Sequence, residues 1–336
     1  MIVSQRPGTG RQIRTMWRRR AVVTSGLCMP ALASAWSSHI PLRIAALPTS
    51  SSAVPLHAMM SGAFRNAGVE AQVDIVAATS SPRQLLMADG YDIVSGIHLF
   101  VAAPLGRDRN VASRFLIFHG YNDHHFFEGM VARPDAGIQG MGDLPGKTVL
   151  VASGTANLMI VREILRRATN GQEGRVSLIV APQSSFSDLL RAGRAQAAFT
   201  MEPWGTHLQE FHGFPLVVRG LLARYMFDDP DSLAFFGGAI ARDATIRHSP
   251  EQLSRLCEAW ITSYRHLEGD ASARQAAVQA IFPELRIAPS VGLPMVVASR
   301  DMQGSSLQQL QMALDVGKTI GQLTDHHDVT SLMTIL

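Results

Sequence analysis

Residues 143–165 read DLPGKTVLVASGTANLMIVREIL, and this stretch decides the fold class. Residues 147–152 form a short run dominated by Val and Leu, the composition of a strand covered on both faces. The run gives way at Ser153-Gly154-Thr155-Ala156-Asn157, and a helical pattern follows through Ala168. A strand that feeds a helix through a glycine-bearing turn is half of a βαβ unit. Gly146-Lys147-Thr148 is similar to the end of a phosphate-binding P-loop. That motif would need its first glycine at Met141, however, and Lys147-Thr148 opens a strand rather than a helix. The turn after the strand is the better anion site. Gly154 allows close backbone approach, Ser153, Thr155 and Asn157 offer polar groups, and a helix start presents unpaired N–H groups.

Working outward, the same alternation recurs on both sides. Upstream, strands are expected over 42–47, 70–77 and 92–95, with helices over 57–66 and 82–87 between them. Downstream, strands over 176–180 and 197–200 flank a helix over 187–192. Two series in the same order predict two similar α/β lobes. From Ser249 the chain turns helical. Leu253, Leu256, Cys257, Trp260, Tyr264 and Leu267 fall on one helical face, and residues 306–320 repeat the pattern more loosely.

The 336 residues suffice for about two domains, and 46% apolar against 17% charged residues excludes a disordered chain. The net charge of +3 is unevenly placed. Six arginines and no acid precede Trp36, and the first acidic residue is Glu70; the remainder carries 24 basic and 27 acidic residues. No basic patch stands out in the rest of the chain, so nucleic acid is not an expected partner. Residues 17–35, WRRRAVVTSGLCMPALASA, carry three arginines, a short apolar segment and small residues at Ala31, Ala33 and Ala35. That is the pattern of a cleaved signal peptide over 1–35, exported by the Sec or the twin-arginine route. Leu27 stands where a lipoprotein signal has a small residue before its cysteine, against lipidation at Cys28. Loss of Cys28 leaves Cys257 alone, a buried core residue without a disulfide. His119, His124 and His125 with Asp123 and Glu128 match no metal-ligand spacing and read as a mixed surface loop, as does Asp325-His326-His327-Asp328. No catalytic arrangement can be specified from spacing.

Three blocks, QLLMADGYDIVSG (84–96), DLPGKTVLVASGTANLMIVREIL (143–165) and DLLRAGRAQAAFTMEPW (188–204), together resemble a known family. It is the periplasmic substrate-binding proteins of ABC importers, in the nitrate/sulfonate/taurine/bicarbonate (NMT1/SsuA-like) group, and the likeness runs from about Leu42 to about Leu323. Gln196 departs from the family's usual Asp, and Gly96-Ile97-His98-Leu99 from its Gly-rich, Pro-containing loop. The resemblance implies a two-lobe α/β fold of the periplasmic-binding-protein type II, with a two-segment hinge and a ligand cleft between the lobes. Lobe I would comprise 36–132 and 236–336, and lobe II 133–235. The crossings would lie near 131–135 and 235–242, where Gly237-Gly238 would supply backbone freedom. The implied ligand contacts are Thr49, Ser50, Ser51, Gly96, Ile97 and His98 from the first lobe. Ser153, Gly154, Thr155, Asn157, Glu202 and Trp204 come from the second. The implied function is capture of a small anionic solute in the periplasm and delivery to an ABC permease and its ATPase. The protein would be a monomer without cofactor, metal or catalytic residue. Two alternatives remain. One is an enzyme of the same fold, such as the thiamin-pyrimidine synthases, which use iron with a cysteine-rich motif; the other is a cytosolic ligand-sensing domain with an intact N-terminus.

Overall fold

A computed structural model describes residues 41–88, 90–334 and 336. The signal peptide expected over 1–35, with Cys28, lies outside the described residues. Among the described residues, eleven strands carry the fold. They are β1 (Leu42–Ala46), β2 (Ala71–Ile75), β3 (Ile93–His98), β4 (Ser113–Tyr121), β5 (Glu128–Ala132) and β6 (Thr148–Ala152). There follow β7 (Ser177–Ala181), β8 (Ala197–Met201), β9 (Leu216–Arg219), β10 (Ala234–Arg242) and β11 (Met295–Ala298).

The strands form two sheets, in the orders β11-β4-β10-β3-β1-β2 and β7-β6-β8-β5-β9. In the first, β1 lies parallel between β2 and β3; in the second, β6 lies parallel between β7 and β8. The predicted repeat of βαβ units is therefore present in both sheets. The helix Pro82–Met87 falls where expected, and the helix Thr155–Ala168 begins two residues earlier than predicted. The helix expected over 57–66 is two pieces, Ala53–Met60 and Ala63–Asn66. Neither sheet is wholly parallel. β10 runs antiparallel to β3 and β4, and β5 runs antiparallel to β8 and β9.

These antiparallel strands correct the expected crossings. Val131 and Ala132 lie within β5, paired to Ala198 and Ala197 of the second sheet, so the chain has already changed lobes before them. The first crossing is 122–127, between β4 and β5. The return is 227–233, between the helix Leu221–Met226 and β10. Gly237 and Gly238 lie outside both crossings. They lie inside β10, and a Cβ on Gly238 would fall on the Ile117 carbonyl and the Phe115 ring. Absence of a side chain there lets β4 and β10 approach.

A shared device starts the central strand of each sheet. Asp92, just before β3, accepts from the Arg43 N–H at 3.0 Å. Gln196, just before β8, accepts from the Thr148 N–H at 2.8 Å. The departure at Gln196 thus keeps a neutral acceptor for the same backbone job. One face of the first sheet packs on the helices Ala53–Met60, Pro250–Gly269 and Ala271–Ile281 around buried Trp260 and Cys257. One face of the second packs around Leu150, Phe186 and Leu208. A third core joins the lobes, bringing Phe115, Phe118 and Phe236 into one cluster with Met130, Val149 and Ile164. Among the described residues no helix is long and apolar enough to cross a membrane.

Candidate functional site

The ends of several strands converge where the two sheets face each other. β3 ends in His98, β4 in Tyr121, β6 in Ala152 and β8 in Met201, while β5 begins at Glu128. All five residues line one cavity of about 80 Å³. Phe236 of β10 closes it from the first lobe. Asn157, Ile160 and Ile164 of the helix Thr155–Ala168 close it from the second, with Phe199, Leu222 and Phe127. The walls are therefore largely apolar, with few polar groups, the usual make-up of a small-molecule site. The volume is well below the roughly 300–1,000 Å³ of drug-sized ligand pockets, so the cavity as it stands admits only a few heavy atoms.

The polar groups are specific. Glu128 is buried, and its Oε1 accepts from the Leu222 N–H at 3.0 Å. Its Oε2 is buried with no hydrogen-bond partner. Loss of water pushes this carboxyl up to about 7, against the pull of its backbone donors. Burial also pushes the Tyr121 hydroxyl up, and the Glu128 charge beside it adds to the effect. The His98 Nδ1 accepts from the Phe100 N–H at 3.2 Å. Desolvation holds the ring neutral, down to about 4. A neutral ring that accepts at Nδ1 carries its proton on Nε2, so His98 is a donor. Thr200 gives its hydroxyl proton to the Gly129 carbonyl at 3.3 Å. Among the described residues lining the cavity there is no Lys or Arg.

Of the twelve expected ligand contacts, His98 and Asn157 line this cavity. Asn157 donates to the Ser153 carbonyl at 3.1 Å, and Ser153, Gly154 and Thr155 are exposed at the same helix start. Ser50 and Ser51 are buried after β1, and the Thr49 hydroxyl shares a 2.8 Å hydrogen bond with Ser51. Gly96 has φ +76°, and a Cβ on it would stand 2.9 Å from the Thr49 hydroxyl. These residues brace the β1 and β3 turns against each other, and Ile97 is a core residue.

Glu202 and Trp204 join the lobes elsewhere. Glu202 is buried; its Oε1 accepts from the Thr206 N–H at 3.0 Å and its Oε2 from the Gly292 N–H at 3.2 Å. Gly292 belongs to the segment leading into β11 of the first lobe. Half-buried Trp204 packs on the first lobe's core. The helix Trp204–His212 that it opens also touches residues 286–290, through His207 with the Arg286 carbonyl and Arg286 over the Phe211 ring.

Sequence reading missed Glu128, Tyr121 and the aromatic walls. The available signal was one acid, Glu128, opening the apolar run EGMVA directly after Phe126-Phe127. The histidine segment containing it disperses in space: His119 is buried in β4, His124 lies near Asp231, and His125 near Tyr264 and Glu268. No three described His, Cys, Asp or Glu residues stand together as metal ligands. The Cys257 thiol is buried in the first lobe's core and pushed up to about 12 by burial. A larger open groove of about 590 Å³ runs past Arg162 and Arg166, but its Glu163 is already held by Arg166 and Arg167.

Two α/β lobes, two crossings and a cavity where strand ends meet define the class of periplasmic-binding-protein folds. Comparison with known proteins narrows this further. The family model described as NMT1/THI5 like matches residues 55–267, and the chain belongs to that family. No curated protein matches the sequence. Among solved structures, the alkanesulfonate-binding protein SsuA from Xanthomonas axonopodis pv. citri, bound to MOPS, is similar with a TM-score of 0.62 at 12% identity. That match covers 86% of this chain and 96% of that one. The periplasmic aliphatic sulphonate binding protein SsuA from Escherichia coli has a TM-score of 0.61 at 12% identity, covering 87% and 97%. A mutant of the desulfurization enzyme DSZB in complex with biphenyl-2-sulfinic acid has a TM-score of 0.62 at 14% identity, covering 87% and 96%. At such identities the likeness is one of fold, and binding proteins and an enzyme share it.

Proposed function

We propose that this chain is the exported solute-binding component of an ABC importer. It captures a small molecule between its lobes and presents the closed form to a membrane permease and its ATPase. The observation that carries this reading is the cavity lined from both lobes, which the chain joins by two crossings. A ligand that touches both walls favours the closed state by its differential affinity, and closure is the output. No bond is made or broken. His98 and Asn157 touch the solute, and Ser153, Gly154 and Thr155 lie at the rim where an acidic group would sit. The mature protein acts as a monomer in the periplasm. The enzyme reading has less support, because the sequence's two cysteines are Cys28, ahead of the lobes, and Cys257, buried in a different core.

Thermal unfolding across alkanesulfonates, aminosulfonates, nitrate, aromatic acids, amines and pyrimidines tests the reading. A specific solute at 100 times its dissociation constant is expected to stabilise by about 2.7 kcal/mol. A chain that no member stabilises is not a binding protein for small solutes of these classes. Mass spectrometry of the exported product is expected to show a chain beginning after Ala33 or Ala35. An intact N-terminus would place the protein in the cytosol as a sensing domain.

A further inference from the structure

We infer that His207 and His212 form an acid-sensitive latch between the lobes, fastened while both rings are neutral and released when either takes up a proton. The latch concerns the contact between the lobes and is independent of the solute's identity. Three side chains at or just before the helix Trp204–His212 bridge to residues 286–292 of the first lobe. Glu202 accepts from the Gly292 N–H, and the Glu210 carboxylate accepts from the Ser290 hydroxyl at 3.3 Å. His207 Nδ1 stands 2.9 Å from the Arg286 carbonyl. Behind His207 the contacts continue into the second lobe. Its Nε2 is 3.0 Å from the Nε2 of His212. The Nδ1 of His212 is in turn 2.6 Å from the guanidinium of Arg191, on the helix Phe186–Arg191.

The two ends of this chain fix every proton in it. A carbonyl only accepts and a guanidinium only donates. His207 therefore carries a proton on Nδ1 and gives it to Arg286. His212 keeps Nδ1 bare for Arg191, carries its proton on Nε2 and gives it to the bare Nε2 of His207. Both rings are neutral, and one tautomer of each satisfies all three contacts. An added proton has two places to go. On His207 Nε2 it would meet the His212 N–H, and on His212 Nδ1 it would meet the Arg191 N–H. Either way donor faces donor, with Arg191 on one side and the Arg286 guanidinium, over the Phe211 ring, on the other. The Trp204 and Phe211 rings pack against His207, so the strain is relieved by parting from Arg286. A metal ion between the two Nε2 atoms would require His212 to shed its remaining proton as well, which sets that reading aside.

The surroundings give the effect its sign. Burial, then His207 and Arg191, hold His212 below the ordinary histidine value of 6.5, against the pull of Asp188. A ring lowered while the lobes touch binds its proton better once they part. The latch is therefore whole above pH 6.5 and lost as the pH falls below it. Glu210 is engaged with Ser290. Glu202 acts oppositely, because burial pushes it up to about 7 and acid favours its buried state.

Imidazole nitrogen NMR and hydrogen exchange at the Gly292 amide, in the solute-free mature protein, test the inference. At about pH 8 His207 is expected as its Nδ1–H form and His212 as its Nε2–H form; any other pair overturns the inference. The comparison chain carries His207→Asn together with His212→Gln. Asn keeps a donor for the Arg286 carbonyl, Gln keeps an acceptor for Arg191, and neither takes up a proton. Gly292 protection in the unaltered chain, divided by that in the comparison chain, is expected to fall about fivefold from about pH 7.5 to about pH 5. That is the worth of one net hydrogen bond. Glu202 is present in both chains and cancels from the ratio. A ratio that stays flat or rises overturns the inference. If the double variant does not fold, the unaltered chain decides. The His207 Nδ1–H signal must then lose its bonded shift in step with protonation of the pair, and a bond to Arg286 that outlasts it overturns the inference.

Discussion

Glu202, expected from the sequence to touch a ligand, bridges the two lobes through its own hydrogen bonds. Its two oxygens hold one N–H in each lobe, at Thr206 and Gly292. Glu202→Ala strands both donors in a buried place, at about 1–3 kcal/mol each. The variant is expected to lose about 2–6 kcal/mol in urea unfolding, with Glu202→Gln losing less because one acceptor remains. A loss within error would mean that water replaces the carboxylate. Titration at the same scale has a definite sign. Burial lifts Glu128 and Glu202 from 4.5 to about 7, so the folded chain keeps protons there that the unfolded chain has released. Their contribution is full below pH 4.5 and is lost as pH rises toward 7. His98 and His119 act oppositely. Burial lowers them from 6.5 to about 4 and about 3, so their contribution is present above pH 6.5 and lost as pH falls below it. The two effects offset each other over much of the acid range, and a wild-type profile alone hides both. Glu128→Gln removes one carboxyl. Its stability relative to wild type is therefore expected to climb by about 2–3 kcal/mol between pH 4.5 and 7, read by urea unfolding at each pH. A flat difference would show that Glu128 ionises freely in the folded chain.

At the scale of elements, β10 carries the joint between the parallel and antiparallel parts of the first sheet. Its AFFGGAIAR sequence combines an aromatic pair with Gly237-Gly238, which in isolation reads as a flexible return. In place, Gly238 lies opposite Phe118 of β4 and Ile97 of β3, with the Ile117 carbonyl where a Cβ would go. Gly238→Ala must push β4 away, an overpacking cost of typically 1–3 kcal/mol. It is expected to lower the melting temperature and weaken solute binding, because Phe236 and Tyr121 line the cavity from these two strands. A full-affinity variant would mean that the strands part without moving the wall. The same strands explain what the sequence revealed and what it hid. The parallel units were legible because short apolar runs alternate with helical periods, as at 147–168. β4 and β5 were not, since they flank the histidine segment and their pairing partners lie more than 60 residues away. Half of the site was hidden for the same reason. His98 and Asn157 follow strands that could be read, whereas Tyr121, Glu128 and Phe236 meet only once the antiparallel strands are placed.

For the whole molecule, the lobes are connected twice, and the two crossings are tied to each other. Asn122 of the first crossing donates to the Asp231 carbonyl of the second at 3.1 Å, and the Asp123 N–H reaches the Pro230 carbonyl at 3.3 Å. Asp123 also pairs with Arg224 at 3.0 Å, just before the return. Asn122 further accepts from the His124 and His125 N–H groups, fixing the turn of its own crossing. Lobes held this way are expected to move as bodies about a joint whose two segments bend together, with the Glu202–Gly292 contact and the shared apolar core making and breaking at the far side. Asn122→Ala removes one tie between the crossings and the acceptor for two N–H groups. At about 1 kcal/mol per net hydrogen bond, opening of the joint should become roughly fivefold more frequent. Hydrogen exchange in the solute-free protein is expected to accelerate together at 122–127 and 227–233, with the amides of β1, β3, β6 and β8 unchanged. A bound solute should slow both segments again, because it draws on contacts made only when the lobes are shut. Acceleration confined to 122–127 would show that the crossings flex independently, and a tied joint would then be the wrong description of how this molecule closes.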